Sequence, residues 1–411
     1  MPEFLKLIPP KIALSLMEDA LGTVKKANKM ILTEESFGYV AADDIISPHS
    51  LPTFFRSTVD GYAVRSSDTF GSSNTMPSIF EIIGEVSMGA STQEELKAGE
   101  VVIIHTGGML PKKSDAVVMV EDSERINEKE VEVYKAVSHG ENVLNPGEDV
   151  KAGEIVIKSG TMIRSAEIAG LMALGIVSIP VVKKPRIAII SSGDEIVPPN
   201  MEIKDGLVRD VNSSMLSSLI SQWGGTPVKY GIIPDNIDEL MSVSKKAISE
   251  CDMVVFTAGS SVSIRDITAD AISSLGKPGV IVHGVNIRPG KPTILAVCNG
   301  KPTIGLPGNP VSAYVTSSIF VKNTIHQLLG LEIPFFEEGV KAILETNIPS
   351  KAGREDWVPI KLKKSPHGFL AVPIFSRSNF IFSLVSADGL LQIPSDMTGL
   401  DAGEEVRIKT I

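Results

Sequence analysis

The sequence predicts a multidomain protein of the α/β plus β class. It combines a three-layer α/β domain with a mostly parallel sheet, a small inserted β-domain, and a C-terminal β-domain or barrel. Three observations carry this. Between Arg186 and Leu329, short apolar strands alternate with helix-periodic stretches, the grammar of a parallel sheet covered on both faces. Between Ser47 and Glu141, Gly, Ser and Pro punctuate short strand-like runs and helical periodicity is nearly absent. Beyond Pro334, five further strand-like runs follow without a clear helix. A length of 411 residues suits roughly three domains at ~150 residues each.

Taken in order, Pro9-Pro10 precede a helix whose stripe is Ile12, Leu16, Ala20 and Val24, widened by Leu21. The inserted segment offers strands at Ile79–Ile83, Val101–Ile104, Ala116–Val120 and Val131–Val133. A strand at Ile155–Ile157 and a helix over Ala166–Leu174, stopped by Gly175, lead to a boundary at Lys183-Lys184-Pro185. In the α/β domain the expected strands are Ile187–Ile190, Val228–Ile233, Met253–Phe256, Val280–Val282, Thr293–Val297 and Thr303–Gly305. Asn212 is placed to cap a helix that buries Met215, Leu216, Leu219, Ile220 and Trp223 and ends at Gly224-Gly225. Leu240, Val243, Ala247 and Ile248 mark the next helix, Ile267–Leu275 another, and the last runs to about Leu329. The C-terminal strands are Val340–Leu344, Trp357–Leu362, Phe369–Ile374, Leu390–Ile393 and Glu405–Ile408.

Composition removes several classes of function. A net charge of -10 argues against a nucleic-acid surface, while leaving room for a local basic pocket. Two cysteines, Cys251 and Cys298, make no disulfide framework and no thiolate zinc site, and suit a reducing compartment. No basic-then-apolar leader and no apolar run approaching ~18 residues are present, so a soluble, cytoplasmic protein without a membrane span is expected.

Ligands of an open parallel sheet bind beyond the carboxyl ends of its strands. The first exit reads Ser191-Ser192-Gly193-Asp194-Glu195, the second Pro234-Asp235, the third Thr257-Ala258-Gly259-Ser260-Ser261 with Asp266 just beyond, and the last Pro307-Gly308-Asn309-Pro310. Gly and Ser at such exits present N–H and O–H donors to phosphate. Glu195, Asp235 and Asp266 are candidates to hold Mg²⁺ that bridges to phosphate oxygens, although each alone also fits a helix cap or a solvated loop charge. Asp210 reads equally well as a ligand or as a cap. Ahead of the last exit, Ile287-Arg288-Pro289-Gly290-Lys291-Pro292 sets two cations on a rigid turn, an anion-site pattern. In the inserted segment, Asp60-Gly61 between apolar residues suits a hairpin turn, and the same holds for Thr106-Gly107-Gly108. The run Asp115–Asp122 suits an edge strand with an acidic tip.

These stretches together resemble the molybdopterin molybdenumtransferases, the family of MoeA proteins and the gephyrin E-domain. The matching runs are Thr58–Arg65 (TVDGYAVR), His105–Asp122 (HTGGMLPKKSDAVVMVED), Gly140–Val150 (GENVLNPGEDV), Ser191–Ile196 (SSGDEI), Arg209–Asn212 (RDVN), Gly231–Asp235 (GIIPD) and both halves of Asn286–Ala313. They keep their order from about residue 8 to the C-terminus.

The resemblance implies an elongated homodimer with its active site at the subunit interface. It implies a linking domain of residues 1–51 and 142–180, an inserted β-domain of 52–141, an α/β molybdopterin-binding domain of 181–330 and a β-barrel of 331–411. The implied reaction inserts molybdate, or tungstate, into adenylylated molybdopterin with Mg²⁺-dependent cleavage of the pyrophosphate and release of AMP. Glu195, Asp235 and Asp266 would hold metal or orient the attacking group. Gly193, Gly259, Ser260, Ser261 and Gly308 would cradle phosphates, with Asp210, Pro307, Asn309 and Pro310 alongside. Arg288 and Lys291 would balance the anions, and Asp60, Thr106 and Arg354 match further site positions. The resemblance also permits other cofactor-biosynthesis proteins as partners. Two alternatives are a molybdopterin adenylyltransferase and a non-catalytic gephyrin-like scaffold. Departures from the family pattern fall at Ala258, Ser263, Ile267, Leu144-Asn145 and Asn379.

Overall fold

A computed structural model of the chain describes residues 7–24, 26–258, 262–331, 339–366 and 368–411, with the side chains of 262–266 outside the description. Three six-stranded sheets organise it, joined by short two-stranded pairings.

The helix Pro10–Leu21 forms where expected, but turned by about one residue: of the expected face only Leu21 is buried. Ala13, Met17 and Leu21 are buried, whereas Ile12 and Leu16 are 53% and 39% exposed. Two apolar stripes compete on this helix, and tertiary packing selects the one bearing the small Ala13. Asn28–Leu32 pairs antiparallel with Ser178–Val182, and Ile45–Ile46 with Ile155–Ile157, so residues before and after the inserted segment build one body. Their side chains form a shared core through Ala41, Ile45, Ile157, Ile163, Leu171 and Ile179.

The inserted sheet runs, in spatial order, Ala116–Met119, Gly61–Val64, Glu100–Ile104, Ser78–Val86, Glu130–Val133 and Ser123–Arg125. Gly61–Val64 is therefore a strand paired on both sides, and not the hairpin turn that Asp60-Gly61 suggests. A Cβ on Gly61 would collide with the Val118 carbonyl of the neighbouring strand, so glycine is there for close backbone approach. Ala116–Met119 lies at the sheet edge, as its acidic tip suggests.

In the α/β sheet the spatial order is Thr226–Ile233, Arg186–Ser192, Met253–Ala258, Lys301–Pro307, Ile294–Cys298 and Pro278–His283. The first four are mutually parallel, and Ile294–Cys298 runs antiparallel to both its neighbours. The antiparallel strand follows from chain economy: Asn299-Gly300 joins Ile294–Cys298 directly to Lys301–Pro307, too short a link for a parallel crossover. Two separate cores cover its faces, one holding Ile187, Leu216, Trp223 and Phe320, the other Ala188, Leu240, Phe256 and Ile272. The three-layer architecture is thus present.

The C-terminal strands Val340–Leu344, Glu355–Ser365, Gly368–Pro373, Gly389–Ile393 and Glu405–Thr410 close on one another, because Glu355–Ser365 pairs with both Gly368–Pro373 and Gly389–Ile393. A closed five-stranded barrel results, with Ile360, Ala371, Ile393 and Ile408 in its core. The short strand Ile287–Arg288 adds in parallel to Glu355–Ser365 and seams the α/β domain to the barrel. A short helix, Phe382–Val385, interrupts the expected run of strands.

Candidate active site

A cavity of about 920 Å³ opens along the seam between the α/β sheet and the barrel. Its α/β wall carries both rigid turns singled out from the sequence, including Arg288, Lys291, Pro307, Gly308 and Asn309. Gly290 shapes the first turn: at φ 121° its missing Cβ would run into the Thr316 methyl. Pro310 opens the helix Pro310–Thr316, with Asn309 as its N-cap residue. The barrel wall is apolar where it presents Ile348, Pro349, Val358, Pro359, Ile374 and Phe375. Arg354 and Arg377 add charge on that side.

The cavity is electropositive. Its described lining holds four cations, Arg288, Lys291, Arg354 and Arg377, against one carboxylate, Asp356. Arg354 grips Asp356 in a two-pronged bond, Nε to Oδ1 at 2.6 Å and Nη2 to Oδ2 at 2.9 Å. Arg288 stands 3.9 Å from the same carboxylate. The barrel loop is tied to the second turn, because Asn309 Nδ2 donates to Ser378 Oγ at 3.0 Å and the Val311 N–H to the Ser378 carbonyl at 3.1 Å.

A second cluster lies at the first two strand exits. Asp194 and Asp235 are cross-linked: the Asp235 N–H donates to Asp194 Oδ1 at 3.1 Å, and the Asp194 N–H approaches Asp235 Oδ2 at 3.4 Å. Asp235 Oδ1 is buried without a partner among the described residues. Burial pushes the Asp235 carboxyl above its ordinary range, and the charges of Asp194 and Glu195 add to the rise. Gly193, at φ 148°, lets the chain fold back so tightly that a Cβ there would stand 2.8 Å from the Glu195 carboxylate.

Asp210 is buried and doubly engaged. Its Oδ2 accepts from Ser191 Oγ at 2.8 Å and its Oδ1 from the Ser213 N–H at 3.0 Å. The helix Asn212–Gln222 is therefore held at its start by Asp210, and Asn212 does not act as the expected cap. The Asn212 amide instead reaches across the sheet end to Thr257 Oγ1 and the Gly308 carbonyl.

Asp60 and Thr106 meet each other in the inserted sheet, away from both clusters. The Thr106 N–H donates to Asp60 Oδ1 at 2.8 Å, its hydroxyl approaches the same oxygen at 3.3 Å, and His105 lies 3.8 Å from it. Glu85 holds the far ring nitrogen of His105 at 2.8 Å. The hydrogen-bond and ion-pair partners described for Asp60 and Thr106 all belong to that sheet. Gly259, Ser260, Ser261 and the Asp266 side chain lie outside the described residues.

Sequence reasoning did not place Asp356, Arg377, Ser378 or Asn212 at the site. Asp356 stands two residues beyond Arg354, but Arg354 precedes the strand Glu355–Ser365, so strand alternation does not link them. Arg377 carries no local pattern that marks it.

Family models cover nearly the whole chain: the MoeA N-terminal region (domain I and II) matches residues 8–175, the Probable molybdopterin binding domain 188–327, and the MoeA C-terminal region (domain IV) 341–411. A curated Bacillus subtilis relative named molybdopterin molybdenumtransferase is 31% identical over 385 residues, 93% of this chain and 89% of its own length. The chain belongs to the MoeA family. Its fold matches a solved MoeA structure from Pyrococcus horikoshii OT3 with a TM-score of 0.87 at 33% identity, covering 99% of this chain and 100% of that one. A second structure of a Pyrococcus molybdopterin biosynthesis MoeA protein gives 0.81 at 37% identity, with 98% and 99% covered. In this MoeA-family chain the two turns and the barrel seam therefore sit within a shared architecture. No helix among the described residues is long and apolar enough to cross a membrane.

Proposed function

We propose that this chain is a molybdopterin molybdenumtransferase, inserting molybdate or tungstate into adenylylated molybdopterin and releasing AMP. The observation that carries the reading is the cation-lined cavity. Four cations facing one carboxylate, with that carboxylate already held by Arg354, leave a surplus of positive charge for a polyanion. The substrate is such a polyanion, with flat rings attached, and the apolar barrel wall beside the cations suits a ring.

In this reading Arg288, Lys291 and Arg354 bind and orient the phosphates and the oxyanion, and stabilise negative charge that builds as the phosphorus–oxygen bond to the leaving AMP breaks. The turn from Pro307 to Pro310, with Gly193, Gly259, Ser260 and Ser261, supplies backbone and hydroxyl donors. Glu195, Asp235 and Asp266 are the proposed Mg²⁺ ligands. Among the described residues no three His, Cys, Asp or Glu side chains converge as a ready metal site. The donor set still fits: Asp235 offers a buried oxygen without a partner, Glu195 stands beside it, and Mg²⁺ keeps water and takes substrate phosphate oxygens as further ligands. Bound there, Mg²⁺ would neutralise phosphate charge. Asp210, both oxygens engaged, acts in this reading by holding the first exit in shape.

The reading extends to the assembly. Asp60 and Thr106 sit by a separate sheet, and Ile12 and Leu16 leave an apolar face on the helix packed against the α/β sheet. We take the chain as a homodimer of subunits divided at 1–51 with 142–180, 52–141, 181–330 and 331–411, in which a partner's inserted domain completes the site.

The test supplies purified protein with Mg²⁺ and either adenylylated molybdopterin plus molybdate or tungstate, or free molybdopterin plus ATP. Oxyanion-dependent AMP release in the first arm supports insertion. Formation of the adenylyl ester in the second arm would replace it with adenylyltransfer.

A further inference from the structure

We infer that Asn212 is a positioning residue of the site, the clamp that fixes the phosphate-cradling turn to the neighbouring strand exit. This rests on the transferase reading above and adds a residue to it. Asn212 is 6% exposed and opens the helix Asn212–Gln222. Its Nδ2 donates two hydrogen bonds, to Thr257 Oγ1 at 2.8 Å and to the Gly308 carbonyl at 2.7 Å. Thr257 ends the third parallel strand beside Ala258, and Gly308 lies in the turn after the fourth; Ala258 and Gly308 both line the cavity.

One amide thus uses both of its protons to join three segments that converge where the ligand binds. Gly308 in turn sits between Pro307 and Asn309, and Asn309 is bonded to Ser378 of the barrel loop. The clamp therefore sets the spacing between the α/β wall and the barrel wall. Asn212 Oδ1 is buried without a partner among the described residues. A helix cap would have used that oxygen, and Asp210, one residue before the N-cap Val211, already accepts from the Ser213 N–H. The side chain is engaged through its donors alone, and a carboxylate in its place would turn an oxygen lone pair on the Gly308 carbonyl.

The test compares Asn212→Asp and Asn212→Ser with Thr257→Val, reading substrate KM and kcat from oxyanion-dependent AMP release alongside thermal midpoints. Thr257→Val removes the acceptor at the strand-exit end of the clamp and leaves Gly308 bonded to Asn212. The expected result is KM raised roughly tenfold or more in both Asn212 variants and by less in Thr257→Val, with kcat changed less throughout. Wild-type KM in any of the folded variants would overturn the clamp. Absence of AMP release from the wild-type protein would instead overturn the transferase reading, so the two failures are distinct.

Discussion

The Arg288 guanidinium faces the Asp356 carboxylate at 3.9 Å across the strand pairing that joins Ile287–Arg288 to the barrel strand Glu355–Ser365. Arg354 holds the same carboxylate far more closely. The two arginines therefore contribute unequally to stability. Arg354→Ala leaves a buried carboxylate with only a distant partner and should cost about 3 kcal/mol, the low end for breaking a buried pair, because Arg354 itself is part-exposed. Arg288→Ala leaves the tight pair intact and should cost under about 1 kcal/mol. Both should weaken substrate binding. Urea unfolding together with KM separates the two effects.

Asp235 gives the second exit a pH-dependent stability. Burial, with Asp194 and Glu195 beside it, raises its folded carboxyl above the unfolded value. The protonated form is favoured by folding, so the contribution is full below the ordinary aspartate range and is lost as pH rises through the higher folded value. At neutral pH the ionised group is a burden on the fold. Asp235→Asn should therefore raise the thermal midpoint at neutral pH without Mg²⁺, with the gain shrinking on acidification, while abolishing Mg²⁺-dependent AMP release. A lower midpoint at neutral pH would contradict this assignment.

Gly61 tests how Asp60 is presented. Gly61→Ala forces a methyl into the Val118 carbonyl and should destabilise the inserted sheet by roughly 1–3 kcal/mol or more, as overpacking does. Differential hydrogen exchange should place the loss in the strands Gly61–Val64 and Ala116–Met119, with the barrel unaffected.

Ile12 and Leu16 test the assembly. The double variant Ile12→Glu and Leu16→Glu places charge on an exposed face, so folding should be retained while a dimer resting on that face dissociates. Light scattering should report a monomer, with AMP release lost if the site spans two subunits.

Much of the fold was legible because strand exits, Gly/Pro turns and alternating apolar segments report local geometry. What escaped depended on distant partners. The face chosen by Pro10–Leu21 is fixed by a core that includes Trp223 and Phe320, far along the chain. Gly61 looked like a turn because its reason, the Val118 carbonyl, lies on another strand. Asn212 looked like a cap because cap preference is local, whereas its bonds reach Thr257 and Gly308. At the site, both turns within Asn286–Ala313 were readable from rigidity and charge. The barrel's share, Asp356 and Arg377, became visible only when Ile287–Arg288 paired with Glu355–Ser365.

The most direct measurement is single-turnover AMP release from adenylylated molybdopterin with Mg²⁺, followed with and without molybdate, for wild type and Lys291→Glu. The cation-lined cavity predicts stoichiometric, oxyanion-dependent release by the wild type and a loss of roughly a hundredfold or more on reversing that charge. Release that is unchanged in Lys291→Glu, or absent from the wild type, would contradict it.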